Sequence, residues 1–457
     1  MVRVDPYHQS IVPPQSLSRR EFLGNLVTAA TSPFALGLTD LFQLDKVFAS
    51  GPSGFTIQSD YTVSPIVRSP KPIVILWMQG GGSQLETADL KPEAPDGIRG
   101  YYAPINSPAL LNEGILISEK LPELARLIPE GCLIRTLHHE TTCHNNATSA
   151  VLTGNPNLQN RGSVFFEPPT VDPFYVQVMK FRRSRNSPGL KIALGMNSNN
   201  ERMPYGAVSS TNQNCHFIQC DFPRNSYDPL QDLAQTPREV NQARELLLSQ
   251  VGRQDLQGSA LVAYDQARAD ALEILHGPPG AAFNLNQEAG CIREEFGINP
   301  FGNSALTACR LVESGVPFVF LNDGFYDDHY DLKRNLDLRL PRFSKGAAAL
   351  MRRLKDTAII YWGTEFGRTP RLYPSRSSRY EAGREHWQKS FCGFLIGPGI
   401  RAGKIGRTNR TGTEIAEFPV EATLMPTTIL RAAGYEATSI RTGERLPYLS
   451  EVIRAAA

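Results

Sequence analysis

Five short, largely apolar runs stand out along the chain, at residues 72–78, 133–137, 316–321, 358–362 and 391–396. Stretches such as Ile73-Val74-Ile75-Leu76-Trp77 and Phe318-Val319-Phe320-Leu321 are apolar at every position rather than at alternate ones. That pattern suits strands of a parallel sheet covered on both faces. Helix-like stretches lie among them, at residues 118–127, 147–152, 339–354 and 420–433. Alternation of the two kinds of segment predicts a layered α/β domain. Residues 237–276 have helical composition throughout, with Leu246, Leu247 and Val251 and then Leu261, Tyr264, Ala267, Ala271 and Leu275 at near-helical spacing. Pro278-Pro279-Gly280 ends this stretch, which reads as a helical insert of about residues 237–280.

In an open parallel sheet, ligands bind at the carboxyl ends of the strands. Polar clusters adjoin all five runs: Gly80-Gly81-Gly82-Ser83, then His138-His139 with His144, then Asp327-Asp328-His329, then Glu365, and finally His386-Trp387. Scattered His, Asp and Glu residues therefore converge on one predicted site. Carboxylates and an imidazole within three positions, as at Asp327 to His329, can coordinate Zn or a similar divalent ion. Glu365 is a further candidate ligand, and Arg368 can either hold an oxyanion in bidentate fashion or pair with Glu365. His386 lies in a polar Arg384-Glu385-His386 segment, and His144 sits where a helix begins. One of His138 and His139 is expected to be structural. The glycine triplet lacks the spacing of a nucleotide-binding loop, so its expected use is a close backbone approach to the site.

Composition narrows the class. A hydrophobic content of 41%, a charged content of 20% and a formal net charge of +2 are those of a globular protein with no bias toward nucleic acid. Seven cysteines form no CxxC pair, which argues against a zinc ribbon; Cys215 and Cys220 are close enough for a local disulfide, with core thiols as the alternative. No stretch is long and apolar enough to be read as a membrane span. Ser18-Arg19-Arg20-Glu21-Phe22-Leu23 is a twin-arginine pattern followed by a weakly apolar stretch, and Val47-Phe48-Ala49 ends with small residues at the positions suited to cleavage after Ala49. Residues 1–49 are thus expected to be a twin-arginine export signal, with the twin-arginine translocase as the partner in export and a periplasmic or otherwise extracytoplasmic destination. Residues 50–70 read as a linker and 71–450 as the folded domain.

Several motifs recur in an order that resembles a known bacterial family. They are Trp77 to Thr87 with Asp89-Leu90-Lys91-Pro92, Arg99-Gly100, Ser118-Glu119-Lys120-Leu121-Pro122, Leu152-Thr153-Gly154, Gly315-Val316-Pro317-Phe318-Val319, Glu365 to Pro370 and Gly383-Arg384-Glu385-His386-Trp387. Over about residues 71–434 the chain resembles the DUF1501 (domain of unknown function) family, sulfatase-like proteins of the alkaline phosphatase-like superfamily. The resemblance implies an alkaline phosphatase-like three-layer αβα sandwich with a mostly parallel central sheet. It also implies that Asp327, His329, Glu365 and His386, with His144, hold a divalent metal (Zn, Ca or Mg). Counting back from Leu152-Thr153-Gly154 places His144 where sulfatases carry their nucleophile; by the same resemblance, Gly80-Gly81 stand in place of the superfamily's metal-binding Asp after the first strand. His144 is expected as ligand, nucleophile or acid/base, and Arg368 as a catalytic group; Ser83, Glu86 and Asp89 are second-tier candidates. The function implied is metal-dependent hydrolysis of phosphate or sulfate esters, on a small-molecule or polysaccharide substrate. The alternative is a non-catalytic metal- or ligand-binding protein that keeps the fold.

Overall fold

The computed structural model describes residues 61–155, 174–183, 191–195, 216–219, 277–324, 326–374 and 379–454. The expected export signal, most of the helical insert, Cys215 and Cys220 lie outside these residues. All five apolar runs are strands, and they form the centre of a nine-stranded sheet. Its strands are β1 (Ile73–Met78), β2 (Cys132–His138), β3 (Lys191–Gly195), β4 (His216–Gln219), β5 (Phe318–Asp323), β6 (Ile359–Gly363), β7 (Phe391–Ile396), β8 (Gly403–Ile405) and β9 (Val420–Glu421). The order across the sheet is β8-β2-β7-β6-β1-β5-β3-β4, with β9 also paired to β2.

Every pairing is parallel except those of β7, which runs antiparallel to both β2 and β6. The sheet is thus mostly parallel, as expected, with one reversed strand. Because β7 is reversed, the residues before it, His386 included, reach the same edge of the sheet that the other strands reach at their carboxyl ends.

Period-two geometry explains why β1 is apolar at every position. On β1, Val74, Leu76 and Met78 enter one buried cluster, and Ile73, Ile75 and Trp77 enter the other. Helices α2 (Pro300–Glu313) and α3 (Leu332–Leu354) cover the first face through residues such as Leu306, Leu336 and Phe343. Helices α1 (His144–Thr153) and α4 (Met425–Ala432) cover the second through Val151, Leu152, Ile429 and Leu430. The result is the expected three-layer αβα arrangement around a mostly parallel sheet.

Several local expectations shift. The helix expected at 339–354 begins earlier, at Leu332, and residues 420–433 divide into β9, a 3-10 turn and α4. Residues 118–127 form only the short helix Pro122–Ala125, followed by a 3-10 turn at Ile128–Glu130. The region read as a linker contains a strand, Tyr61–Pro65, paired antiparallel with Tyr435–Ser439. Its alternation of buried Tyr61 and Val63 with exposed neighbours is the half-buried strand pattern.

Leu321 is fully buried between sheet and helices. Leu321→Ala is expected to lower unfolding stability by about 2–5 kcal/mol. Ile440→Ala, at a side chain that is mostly exposed, should change it by less than about 0.5 kcal/mol. Urea unfolding of the two variants measures both.

Candidate metal centre

The exits of β1, β2, β5 and β6 and the entry to β7 meet at one point. After β2 the chain turns through Thr141 and Thr142 into α1, whose first residue is His144. Helix α1 stops at Gly154, whose left-handed backbone (φ 74°) lets its N–H reach the Ala150 carbonyl at 2.9 Å. After β5 the chain carries Tyr326, Asp327, Asp328 and His329. The Tyr326 N–H donates to the Gln79 carbonyl at 2.8 Å, which ties this loop to the β1 exit. After β6 come Thr364 and Glu365, and His386 lies on a two-residue strand paired with Gly367–Arg368.

Asp327 is the point of convergence. His329 Nε2 and His386 Nε2 each lie 3.0 Å from its Oδ1, and His144 Nε2 lies 3.4 Å from its Oδ2. Ligand-type atoms of His144, Asp327 and His386 all fall within 4.8 Å of one another. The opposite nitrogen of each ring is also held. His144 Nδ1 is 2.8 Å from Glu365 Oε1, His329 Nδ1 is 2.7 Å from Glu385 Oε2, and His386 Nδ1 is 2.8 Å from the Thr142 carbonyl.

These partners assign the tautomers. A carbonyl oxygen only accepts, so His386 carries its proton on Nδ1. Burial pushes the His386 pKa down against its bond to Asp327, so the ring favours its neutral form. Its Nε2 lone pair then faces a carboxylate oxygen, an arrangement that a cation between them would resolve. His144 behaves differently: burial opposes its charge, but Asp327 and Glu365 outweigh that and push its pKa up to about 9. The Asp327 bond likewise raises His329. Burial alone would raise Asp327, yet the three imidazoles and Arg368 hold its carboxyl far below the usual range. Phe366 is fully buried beneath the cluster, its ring centroid 4.5 Å from that of His386 and 4.8 Å from that of His144.

The remaining candidates divide. Glu365 is fully buried and lies behind His144, where its Oε1 accepts from the Gly80 N–H at 2.7 Å and from the His144 ring. These contacts set its carboxylate against the back of the His144 ring and the β1 turn. Arg368, expected to face a substrate oxyanion, is also fully buried. Its Nε donates to the Gly81 carbonyl at 3.0 Å and its Nη1 to the Arg384 carbonyl at 3.1 Å, while Nη2 donates to the Gly80 carbonyl and to Asp327. Little of its donor capacity is left for a substrate. His139 is buried with Nε2 donating to the Glu365 carbonyl at 2.6 Å, and His138 faces Glu421 at 3.8 Å; both are away from the cluster.

Asp328 turns away to Arg339 (2.9 Å) and Asn335 (2.7 Å). Ser83 and Arg384 both bind Glu86 in a fully buried network, and Asp89 pairs with Lys91 at 2.9 Å and with Thr408. None of these reaches the cluster. Sequence reasoning overlooked Glu385 and the Thr142 carbonyl. Glu385 adjoins His386, but nothing in its spacing reveals that its partner is His329. A backbone carbonyl leaves no sequence signal at all.

The glycine triplet provides the expected close approach. Gly80 (φ 104°) and Gly81 (φ 94°) adopt backbone that side chains disfavour. A Cβ at Gly80 would collide with the backbone of Tyr326 and Asp327, and one at Gly81 would stand 2.9 Å from the Phe366 ring.

The family comparison can now be placed beside this geometry. Residues 70–445 match the family described as "Protein of unknown function (DUF1501)". The chain belongs to the DUF1501 family. No curated protein matches it. Among solved structures it is similar to a protein in the alkaline phosphatase superfamily from Vibrio parahaemolyticus, at 13% identity and TM-score 0.37, covering 90% of this chain and 80% of that one. It is also similar to the C-terminal periplasmic domain of EcEptC from Escherichia coli, solved in complex with Zn, at 9% identity and TM-score 0.39, covering 83% and 87%. An alkaline phosphatase from the Antarctic bacterium TAB5 overlaps at 11% identity and TM-score 0.36, covering 80% and 99%. At this level of likeness the architecture rests on the chain's own sheet order.

The Glu86–Arg384 pair gives a test of what supports the site. Both side chains are fully buried, with Arg384 Nη2 2.8 Å from Glu86 Oε1. Arg384→Met strands a buried carboxylate and is expected to cost about 3–5 kcal/mol of stability in a denaturant titration.

Proposed function

We propose that this DUF1501 protein is an exported hydrolase whose centre holds a divalent metal ion between His144, Asp327, His386 and His329. The observation that carries the reading is the convergence of three Nε2 atoms on one carboxylate, each ring braced from behind by Glu365, the Thr142 carbonyl or Glu385. Metal-binding histidines are held in this way, the far ring nitrogen donating to a carboxylate or carbonyl that sets the tautomer and raises basicity. The donor set fits. Three imidazoles and one carboxylate favour Zn²⁺ or a similar ion over Ca²⁺ and Mg²⁺, which take mainly oxygen ligands. Glu365 acts on the ion through His144 rather than as a direct ligand.

When bound, such an ion polarises an ester oxygen and lowers the pKa of an attacking water. The chain's own contribution is to hold the site. Asp327 is 45% exposed, so the cluster opens to solvent on one side, while Phe366 closes the other. A phosphate or sulfate ester approaching from the open side would meet His144, the first residue of α1, where the helix dipole favours an anion. Export rests on the twin-arginine pattern at Arg19-Arg20 and on the folded state that such a signal requires of its cargo. Lys at both positions should retain the protein in the cytoplasm, as cell fractionation would show; unchanged export would remove that part of the reading.

Elemental analysis of the purified protein is expected to find zinc or a similar transition metal. His386→Ala and His144→Ala should abolish its retention, and Glu365→Gln should weaken affinity about 10–100-fold. Hydrolysis of a panel of phosphate and sulfate esters should be lost with the metal. Retained metal with no turnover on any ester would instead favour the non-catalytic binding protein, and a metal content unaffected by both His substitutions would refute the centre itself.

Affinity should also depend on pH, with a definite sign. In the metal-free protein His144 stays protonated up to about pH 9. The ion must displace that proton, so apparent affinity is expected to rise with pH until about 9 and to level off above it. Competition with a chelator at a series of pH values measures this.

A further inference from the structure

Arg368 is a buried cation in an unusual setting. Its side chain has no solvent exposure. It is surrounded by the carbonyls of Gly80, Gly81 and Arg384 and by Oδ1 of Asp327. Three carbonyls and a carboxylate are the ligand types that hold a hard metal cation. Here the guanidinium already fills the place.

The surroundings are built for it. The positive-φ turns at Gly80 and Gly81 accompany carbonyls that accept from Arg368, and a Cβ at Gly81 would stand 3.1 Å from Arg368 Nε. Gln84 holds the Arg368 backbone from both sides, donating to its carbonyl at 2.8 Å and accepting from its N–H at 2.9 Å. The β1 exit, Gly80-Gly81-Gly82, supplies no carboxylate to balance a second divalent ion.

We propose that Arg368 is the resident second cation of the centre: it shares Asp327 with one bound divalent ion and limits the site to that single ion. This rests on reading His144, Asp327, His386 and His329 as metal ligands. Arg368 is then a positioning residue. It orients Asp327 toward the three imidazoles and fixes the Gly80-Gly81 turn whose N–H holds Glu365.

The test is a zinc titration of the full chain after chelator treatment. Native mass spectrometry would read stoichiometry, a competing chelator affinity, and circular dichroism folding. One zinc per chain is expected for the unmodified protein. Arg368→Lys keeps the charge but loses the planar fork and should bind zinc about 10–100-fold more weakly. Arg368→Ala should bind at least as weakly, with affinity partly restored by methylguanidine and not by methylammonium. If Arg368→Ala does not fold, the Lys variant decides.

Two zinc ions in the unmodified chain would overturn the proposal. So would unchanged affinity in the Arg368 variants, or equal rescue by the two small cations. One zinc that depends on His386 and is indifferent to Arg368 defeats this proposal alone. The absence of any His386-dependent zinc defeats the metal reading on which it stands.

Discussion

The site depends on how one carboxylate, Asp327, is shared. Three imidazole nitrogens face it from the open side, and the fully buried Arg368 reaches it from below. A half-exposed aspartate would ordinarily be free to rotate. Here its orientation is constrained because Arg368 is itself held by Gly80, Gly81 and Arg384, and its backbone by Gln84. The chain of constraint therefore runs from the β1 turn through a buried guanidinium to the carboxylate that gathers the histidines. Glycine at residues 80 and 81 allows that turn to press against the Asp327 backbone and the Phe366 ring.

The sheet explains how residues so far apart in sequence come to one place. His144, Asp327 and Glu365 leave parallel strands at their carboxyl ends, and His386 joins them because β7 alone is reversed. A parallel β7 would send His386 to the opposite edge of the sheet. The two buried faces of β1 show what holds this edge in register. With Val74, Leu76 and Met78 on one side and Ile73, Ile75 and Trp77 on the other, a slip of one residue would exchange the two sets between clusters packed by different helices.

The candidate residues also show where residue type is informative and where it is not. His144, Asp327, His329 and His386 could be selected from sequence, because few side chains suit a metal and each lies beside an apolar run. Glu365 and Arg368 were visible for the same reason, yet their roles were not. A carboxylate can be a ligand or can brace one, and a guanidinium can bind a substrate or a backbone. What each group touches comes from the fold: both are fully buried, Glu365 against the His144 ring and Arg368 against the Gly80 and Gly81 carbonyls. The linker region shows the same boundary. It reads as a linker, but Tyr61–Pro65 finds a partner strand far along the chain in Tyr435–Ser439.

By itself the sequence determined the layered α/β class, the main strands, the family and the set of residues able to bind a metal. Those properties follow from apolar runs and side-chain chemistry, which are local and survive without knowledge of neighbours. Only the tertiary structure decided the direction of β7, the pairing of each imidazole's second nitrogen, and the placing of Glu365 and Arg368 beneath the cluster. These are relations between segments hundreds of residues apart. Their physical basis is which oxygen lies opposite which nitrogen once water has been excluded, and no local pattern encodes that.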